Sequence, residues 1–377
     1  MTDARFVQIH TLHGYPAALL NRDDSGLAKR IPYGGVVRTR ISSQCLKRHW
    51  RVADDPHAIH AVPGVEQAVR SRNIVDRRVV APMREDGVAE EVAVAVGAAL
   101  NEGVYSDKGG DEQGRQPLLL GEPEIQYLLE HAQAIVAEHG DDAEAARKAA
   151  EALFPKERAN WQAFRDQTRL PGGIESALFG RMVTSDPGAN VDAAVHVAHA
   201  LTVHAEESEM DYFSVVDDLR TADEDAGAAH LGDTELTAGL FYGYVVVDVP
   251  ELVANVSGDR DLSAKVAANL LHLIATVSPG AKLGSTAPYA YAEAMLVEIG
   301  ERQPRSLAAA FRDPIAPRVD VATGALAEQL ARYDAAYGPH ESRRAMTTVP
   351  QEFPGAESGA LPDISGWVKA AIAGGSA

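Results

Sequence analysis

The chain is poor in cysteine: Cys45 is its only one. That excludes an intramolecular disulfide and any zinc site built from several cysteines, and a reducing cytoplasm is the expected location. Long apolar runs are also missing. The longest near-apolar stretch, 92–100, falls far short of a membrane span, and the opening MTDARFVQIH has no basic segment followed by an apolar one. Neither export nor membrane insertion is expected. The GxxxxGK, GxGxxG, HExxH and GxSxG patterns do not occur, so the common signatures of phosphate cradles, zinc hydrolysis and serine hydrolysis are lacking.

What is present is an ordinary globular composition, 46% hydrophobic and 24% charged over 377 residues. That length predicts two to three domains or one elaborated domain. The formal net charge is −19, which taken alone argues against a polyanionic partner. The charge is badly mixed, however. Between Arg22 and Arg51 eight basic residues face two acidic ones, a local balance of +6, while 205–235 holds eleven acidic residues and one basic, a balance of −10. The average conceals two opposite surfaces.

Phe6 to Leu12 alternates and reads as a strand, followed by a loop carrying NRDD. Ser42 or Ser43 is a credible N-cap for the helix SSQCLKRHWRVA. Its period places Gln44, Lys47, Arg48 and Arg51 on one face and Leu46, Trp50 and Ala53 on another, one face suited to a core and the other to an anion. From about 54 to 172 helical stretches are predicted near 89–101, 122–139, 141–153 and 157–168, interrupted by the Gly-rich SDKGGDEQGRQ. This reads as an inserted helical subdomain. Strand character returns after PGG at 171–173, in 191–203, in 240–247 and in YAYAEAMLVEI, with a helix at about 261–277 between the last two. The pattern predicts an α+β sheet with helices on one face.

Three groups could carry chemistry. His196, His199 and His204 lie in a segment of period two, so His196 and His199 should point to opposite faces, and packed or hydrogen-bonded histidines are expected rather than a metal site. Cys45 lies in a basic stretch that would lower its pKa, but a lone cysteine near a helix start is more commonly a small packed residue. Asp23 and Asp24 are adjacent carboxylates able to hold a divalent cation; the duller reading is that they orient arginines or cap a turn. No cofactor is expected. The YGYV core of 240–247 is similar to part of an RRM central strand, although the basic-Gly pair before it is absent and a buried strand is the plainer reading.

The run LLNRDDSGLAKRIPYGGVVRTRISSQCLKRHWR resembles the N-terminal signature of the CasC family, the backbone subunit of the type I-E CRISPR Cascade complex. LFGRMVTSDPGANVDAAVHVAHALTVH, DYFSVVDDL with AGAAHLG, and LHLIATVSPGAK fit in order, so the resemblance covers about residues 5 to 312. It implies an RRM-like (ferredoxin-like) palm from 1–53 and 172–312, a hairpin thumb at about 205–237, a helical finger inserted at 54–171, and a C-terminal helical segment, 313–377, completing the palm. It also implies a non-enzymatic role: copies polymerise head to tail along CRISPR RNA, beside other Cascade subunits, and present the spacer for pairing with target DNA. Sequence reading is then delegated to base pairing.

A binder indifferent to spacer sequence should contact phosphates. The resemblance implies RNA-backbone contacts at Asn21, Arg22, Lys29, Arg40, Ser42, Gln44, Lys47, Arg48 and Arg51. It implies apolar wedges at Met182, Phe213 and Leu231 that displace one nucleotide at intervals, where sequence alone would place Met182 and Leu231 in a core. Two departures stand out. Val36 follows the GG turn where the family can carry lysine, and beyond a helix expected at 305–311 only Arg312 and Arg318 stand where the family has a lysine-rich segment. The rival reading is a metal-dependent ribonuclease using Asp23 or Asp24, as in type III relatives. The acidic hairpin, with Asp223, Glu224 and Asp225, is expected to meet basic surface on the next copy.

Overall fold

The computed structural model describes residues 4–105, 113–154, 162, 165–166, 168, 170–183, 186–215 and 230–374. The Gly-rich segment at 106–116 lies mostly, the helix expected at 157–168 largely, and Asp223, Glu224 and Asp225 wholly outside the described residues.

In chain order the first elements are β1 (Phe6–Ala18), β2 (Arg30–Tyr33), β3 (Val36–Ile41), α1 (Ser43–Arg51), β4 (Ala68–Ser71), α2 (Ala81–Glu85), α3 (Glu90–Tyr105), β5 (Leu118–Gly121), α4 (Glu122–His139) and α5 (Ala143–Glu151). Then come α6 (Gly173–Phe179), β6 (Val195–Val197), β7 (Ala200–Thr202), β8 (Ser208–Val215), β9 (His230–Asp248), α7 (Val249–Asn255) and α8 (Arg260–Thr276). The chain ends with α9 (Leu283–Thr286), β10 (Ala294–Gly300), α10 (Val319–Tyr337), β11 (Ser342–Thr347), β12 (Ala356–Ser358) and α11 (Leu361–Ala373). The architecture is α+β. Among the described residues no helix is long and apolar enough to cross a membrane.

Two compact units divide the chain, Met1–Ala58 with His196–Val247 and Ala264–Ala377, and Ile59–Val195 with Asp248–Ser263. The second unit packs α3, α4 and α5 around Val96, Leu100, Leu128 and Ala146. It does not end at the PGG turn. The backbone N–H of Ala68 donates to the Glu175 carboxylate at 2.7 Å, and Ile174 N–H donates to the Glu66 carbonyl at 2.7 Å. Arg181, buried, donates to Glu124 through Nη1 (2.5 Å) and Nη2 (3.1 Å). Those bonds keep 172–195 with the helices.

The first unit is built on a sheet of order β12-β11-β10-β1-β9-β7-β3-β2. The C-terminal segment, expected to be helical, therefore also supplies two strands, because β11 pairs antiparallel with β10 and parallel with β12. The segment 191–203, expected as one strand, forms two short ones, β6 and β7. Of the helix expected at 305–311 only a 3-10 turn, Ala308–Phe311, forms.

β1 buries both faces along Phe6–Leu12, so the polar half of its alternation meets protein rather than water. His10 Nε2–H donates to Glu298 at 3.1 Å and its Nδ1 lies 2.8 Å from the Tyr242 hydroxyl. Gln8 Oε1 accepts from the Tyr244 hydroxyl at 2.8 Å and from Arg305 N–H at 2.9 Å. Glu298, fully buried, also accepts from Arg305 (2.5 Å) and Arg343 (2.8 Å). Burial would push its carboxyl up; the hydrogen bonds from Arg305 and His10 overcome this and hold it well below the usual carboxylate range.

β2 and β3 form a hairpin closed by Gly34 and Gly35, both at positive φ. At Gly34 a Cβ would overlap the Arg312 carbonyl oxygen, so the turn and its close approach both demand glycine. Beyond β3, Ser42 has extended backbone and its hydroxyl accepts from Cys45 N–H at 3.3 Å, which starts α1. Arg48 and Arg51 fall in the last turn, where cations suit the helix dipole.

Candidate nucleic-acid interface

Asn21 joins the parts of the basic segment. Its carbonyl accepts Lys29 N–H at 3.0 Å and its side-chain oxygen accepts Ser42 N–H at 2.9 Å, so the NRDD loop, the start of β2 and the N-terminus of α1 are tied at one residue. Between those anchors Arg22 to Gly26 are exposed, with Arg22 bridged to Ala28. Asp23 organises the loop: its Oδ1 accepts Ser25 N–H at 2.9 Å and Leu27 N–H at 3.0 Å. This is the turn-capping role. Among the described residues no cluster of His, Cys, Asp and Glu is arranged to hold a metal.

β3 and β7 pair with Arg40 opposite Leu201, which brings His199 beside Arg40. Arg40 Nη1 donates to His199 Nδ1 at 2.8 Å. The His199 pKa is lowered by partial burial and then by the charges of Arg40, Lys29 and Lys47. Burial is the larger cause, and the charges of Arg40 on β3, Lys29 in the loop and Lys47 on α1 add to it. Gln44 and Arg48 are exposed on α1; Lys47 and Arg51 are half-buried. Trp50 anchors the opposite face in the core, as the helical period predicts.

Two members of the +6 segment are spent internally. Arg38 is completely buried, its guanidinium donating to the carbonyls of Thr202 (3.2 Å) and Phe311 (2.9 Å), with further bonds to those of Tyr33 and Arg312. Arg30 pairs with Glu206 and Glu235, two of the acids in the −10 segment. Part of the charge asymmetry thus cancels inside the chain. Ser42 is buried and caps α1, so its side chain faces its own helix. Burial pushes the Cys45 thiol up to about 11 against the opposing charges of Lys29 and Arg48, so Cys45 is a packed residue and not an activated nucleophile.

The apolar residues divide differently. Met182, in the second unit, is 79% exposed, which removes the core-packing reading. Phe213 on β8 is 39% exposed and lies opposite Gly232, where its ring fills the space a side chain would need. Every residue from Ser208 to Ser214 is exposed, whereas Thr234, Glu235 and Thr237, their partners on β9, are buried. Leu231 sits on β9 opposite Ser214. Lys282 was not singled out in the sequence. Its Nζ donates to Thr234 Oγ1 and lies 5.7 Å from the Phe213 ring centre, placing a cation beside the exposed aromatic. Only its position in the PGAK stretch hinted at it.

The first unit thus carries a cationic loop and helix and an exposed hairpin bearing an aromatic on one α+β sheet. The chain belongs to the CT1975-like protein family, Cas_CT1975, whose profile matches residues 7–368. Over 97% of its length it is similar to a chain of a "CRISPR RNA-guided surveillance complex, pre-nicking", with 28% identity, a TM-score of 0.80 and all of that chain covered. It is also similar to a chain of a "CRISPR RNA-guided surveillance complex", with 26% identity and a TM-score of 0.71 over 97% of this chain and 99% of that one. No curated protein matches it significantly.

Proposed function

We propose that this chain is a non-catalytic backbone subunit of a type I-E CRISPR surveillance complex, a CasC-like protein that binds CRISPR RNA through its phosphates. The observation that carries the reading is the convergence of Lys29, Arg40 and Lys47 around His199, on a loop and helix tied together by Asn21. Arg22, Gln44, Arg48 and Arg51 extend this face along the strand, while Asn21 and Ser42 act by holding the backbone that presents it. In this reading the large sheet is the RRM-like palm, the helical unit the finger and the β8–β9 hairpin the thumb. The exposure of Met182 and Phe213 supports their use as wedges, with Leu231 beside Phe213's strand.

Copies assemble head to tail on the RNA in the cytoplasm, with other complex subunits, and target DNA is engaged through the RNA. The test is nuclease digestion of purified assemblies followed by light scattering. Collapse to monomers is expected; an unchanged oligomer would make the protein a protein-binding adaptor. The catalytic alternative is checked by incubating assemblies with complementary RNA and magnesium, where the proposal expects no evenly spaced products.

A further inference from the structure

Thirteen residues after α8 the chain exposes two tyrosines that the RNA-binding face does not yet use. Tyr289 is 75% exposed and Tyr291 72% exposed, while Pro288 and Ala292 on either side are buried. Ala290, between them, packs with Cys45 and Leu46 of α1 against the cluster of Tyr15, Ala18, Leu20 and Ile41. The two tyrosines are therefore exposed on a strip whose middle residue packs against the same cluster as the basic helix.

The strip is clamped rather than loose. Ser278 Oγ donates to the Ala290 carbonyl and accepts Ala290 N–H, both at 2.9 Å, and also accepts the Tyr15 hydroxyl at 3.2 Å, so its donor and both acceptor sites are used. Ala292 N–H donates to the Ala275 carbonyl at 2.7 Å, and Ala281 N–H donates to the Leu19 carbonyl at 2.9 Å, two residues before Asn21. At the neck of the loop a Cβ on Gly280 would lie 2.5 Å from Pro288 Cγ, so glycine is what allows the two ends to close. Single exposed tyrosines need no explanation. A pair two residues apart on a pinned backbone, whose middle residue shares a hydrophobic cluster with Cys45 and Leu46 of the helix that carries Lys47 and Arg48, has a fixed place in the first unit.

We propose that Tyr289 and Tyr291 are a stacking platform for unpaired bases of the strand whose phosphates the α1 face holds. This rests on the RNA-binding reading. Stacking on tyrosine suits a sequence-indifferent binder, since every base presents a π-face, and a preordered backbone spares the cost of fixing the rings.

The test compares the full chain with Y289A/Y291A and Y289F/Y291F, using fluorescein-labelled oligouridylate and a sugar–phosphate oligomer of the same length lacking bases. Wild type should prefer the base-bearing strand, and Y289A/Y291A should lose about tenfold or more of that preference while binding the abasic strand unchanged. Y289F/Y291F should behave as wild type, because stacking needs the ring and not the hydroxyl. Equal preference in wild type and the alanine variant would overturn the platform. So would altered sedimentation of the RNA-free protein with unchanged RNA affinity, which would make the tyrosines a contact between copies. K47A/R48A is the separate control: if it binds both strands as wild type does, the RNA-binding face itself is wrongly placed.

Discussion

Arg40 donates a hydrogen bond to a neutral His199, Nη1 to Nδ1 at 2.8 Å, within a field that includes Lys29 and Lys47. Burial and then the neighbouring cations hold the His199 pKa below 6.5, which favours the neutral ring at pH 7. Phosphate binding raises its pKa back, and by linkage RNA affinity should strengthen as pH falls below the ordinary histidine value of 6.5. Affinity measured from pH 8 to pH 5 should rise for wild type and stay flat over the same range for H199Q. Parallel profiles would separate His199 from the RNA face.

Lys47 and Arg48 present charge on the outer side of α1 while Trp50 holds its inner side. K47A/R48A should weaken RNA binding equally for unrelated sequences. The slope of log affinity against log salt should shrink by about 0.7 for each phosphate that is no longer neutralised. A weakening confined to particular sequences would point to base readout instead.

Arg38 carries charge that RNA never meets. R38A strips donors from the Thr202 and Phe311 carbonyls deep in the first unit and should cost about 3 kcal/mol in urea unfolding. The RNA affinity of the folded fraction should be that of wild type. Reduced affinity without reduced stability would reverse this assignment.

Glu298 gathers His10, Arg305 and Arg343 beneath the sheet. E298Q removes the carboxylate facing Arg305 and one of the acids around Arg343, which keeps Asp334 at 2.6 Å, and should be destabilised by about 3 kcal/mol at pH 7. Since the folded-state pKa lies below the ordinary 4.5, the carboxylate's contribution is complete above that value and is lost as pH falls through the depressed one. The gap between wild type and variant should therefore narrow in acid. A gap independent of pH from 7 to 2 would mean the charge is not what stabilises.

Much of the fold was legible along the chain. Ser42 as N-cap, the polar and apolar faces of α1 and the bounds of α4 follow from local propensity and helical period, which depend on residues within one or two turns. The strand pattern failed at 191–203, where period two was present but tertiary packing divided the segment into β6 and β7. Composition could not tell Arg38 and Arg30 from Arg22 and Arg48. All count as +1, yet burial against carbonyls or pairing with Glu206 and Glu235 is settled by residues more than a hundred positions away.

The order of residues by itself determined the α+β class, the basic loop and helix, and the separation of charge into opposite stretches, because each is a property of near neighbours. Only the tertiary structure decided which of those charges face outward. It set His199 beside Arg40 through the β3–β7 pairing, placed Lys282 at the Phe213 ring, and left Tyr289 and Tyr291 exposed on either side of a packed Ala290. Each depends on contacts between strands and loops distant in sequence, whose free energy exists only once the sheet has brought them together.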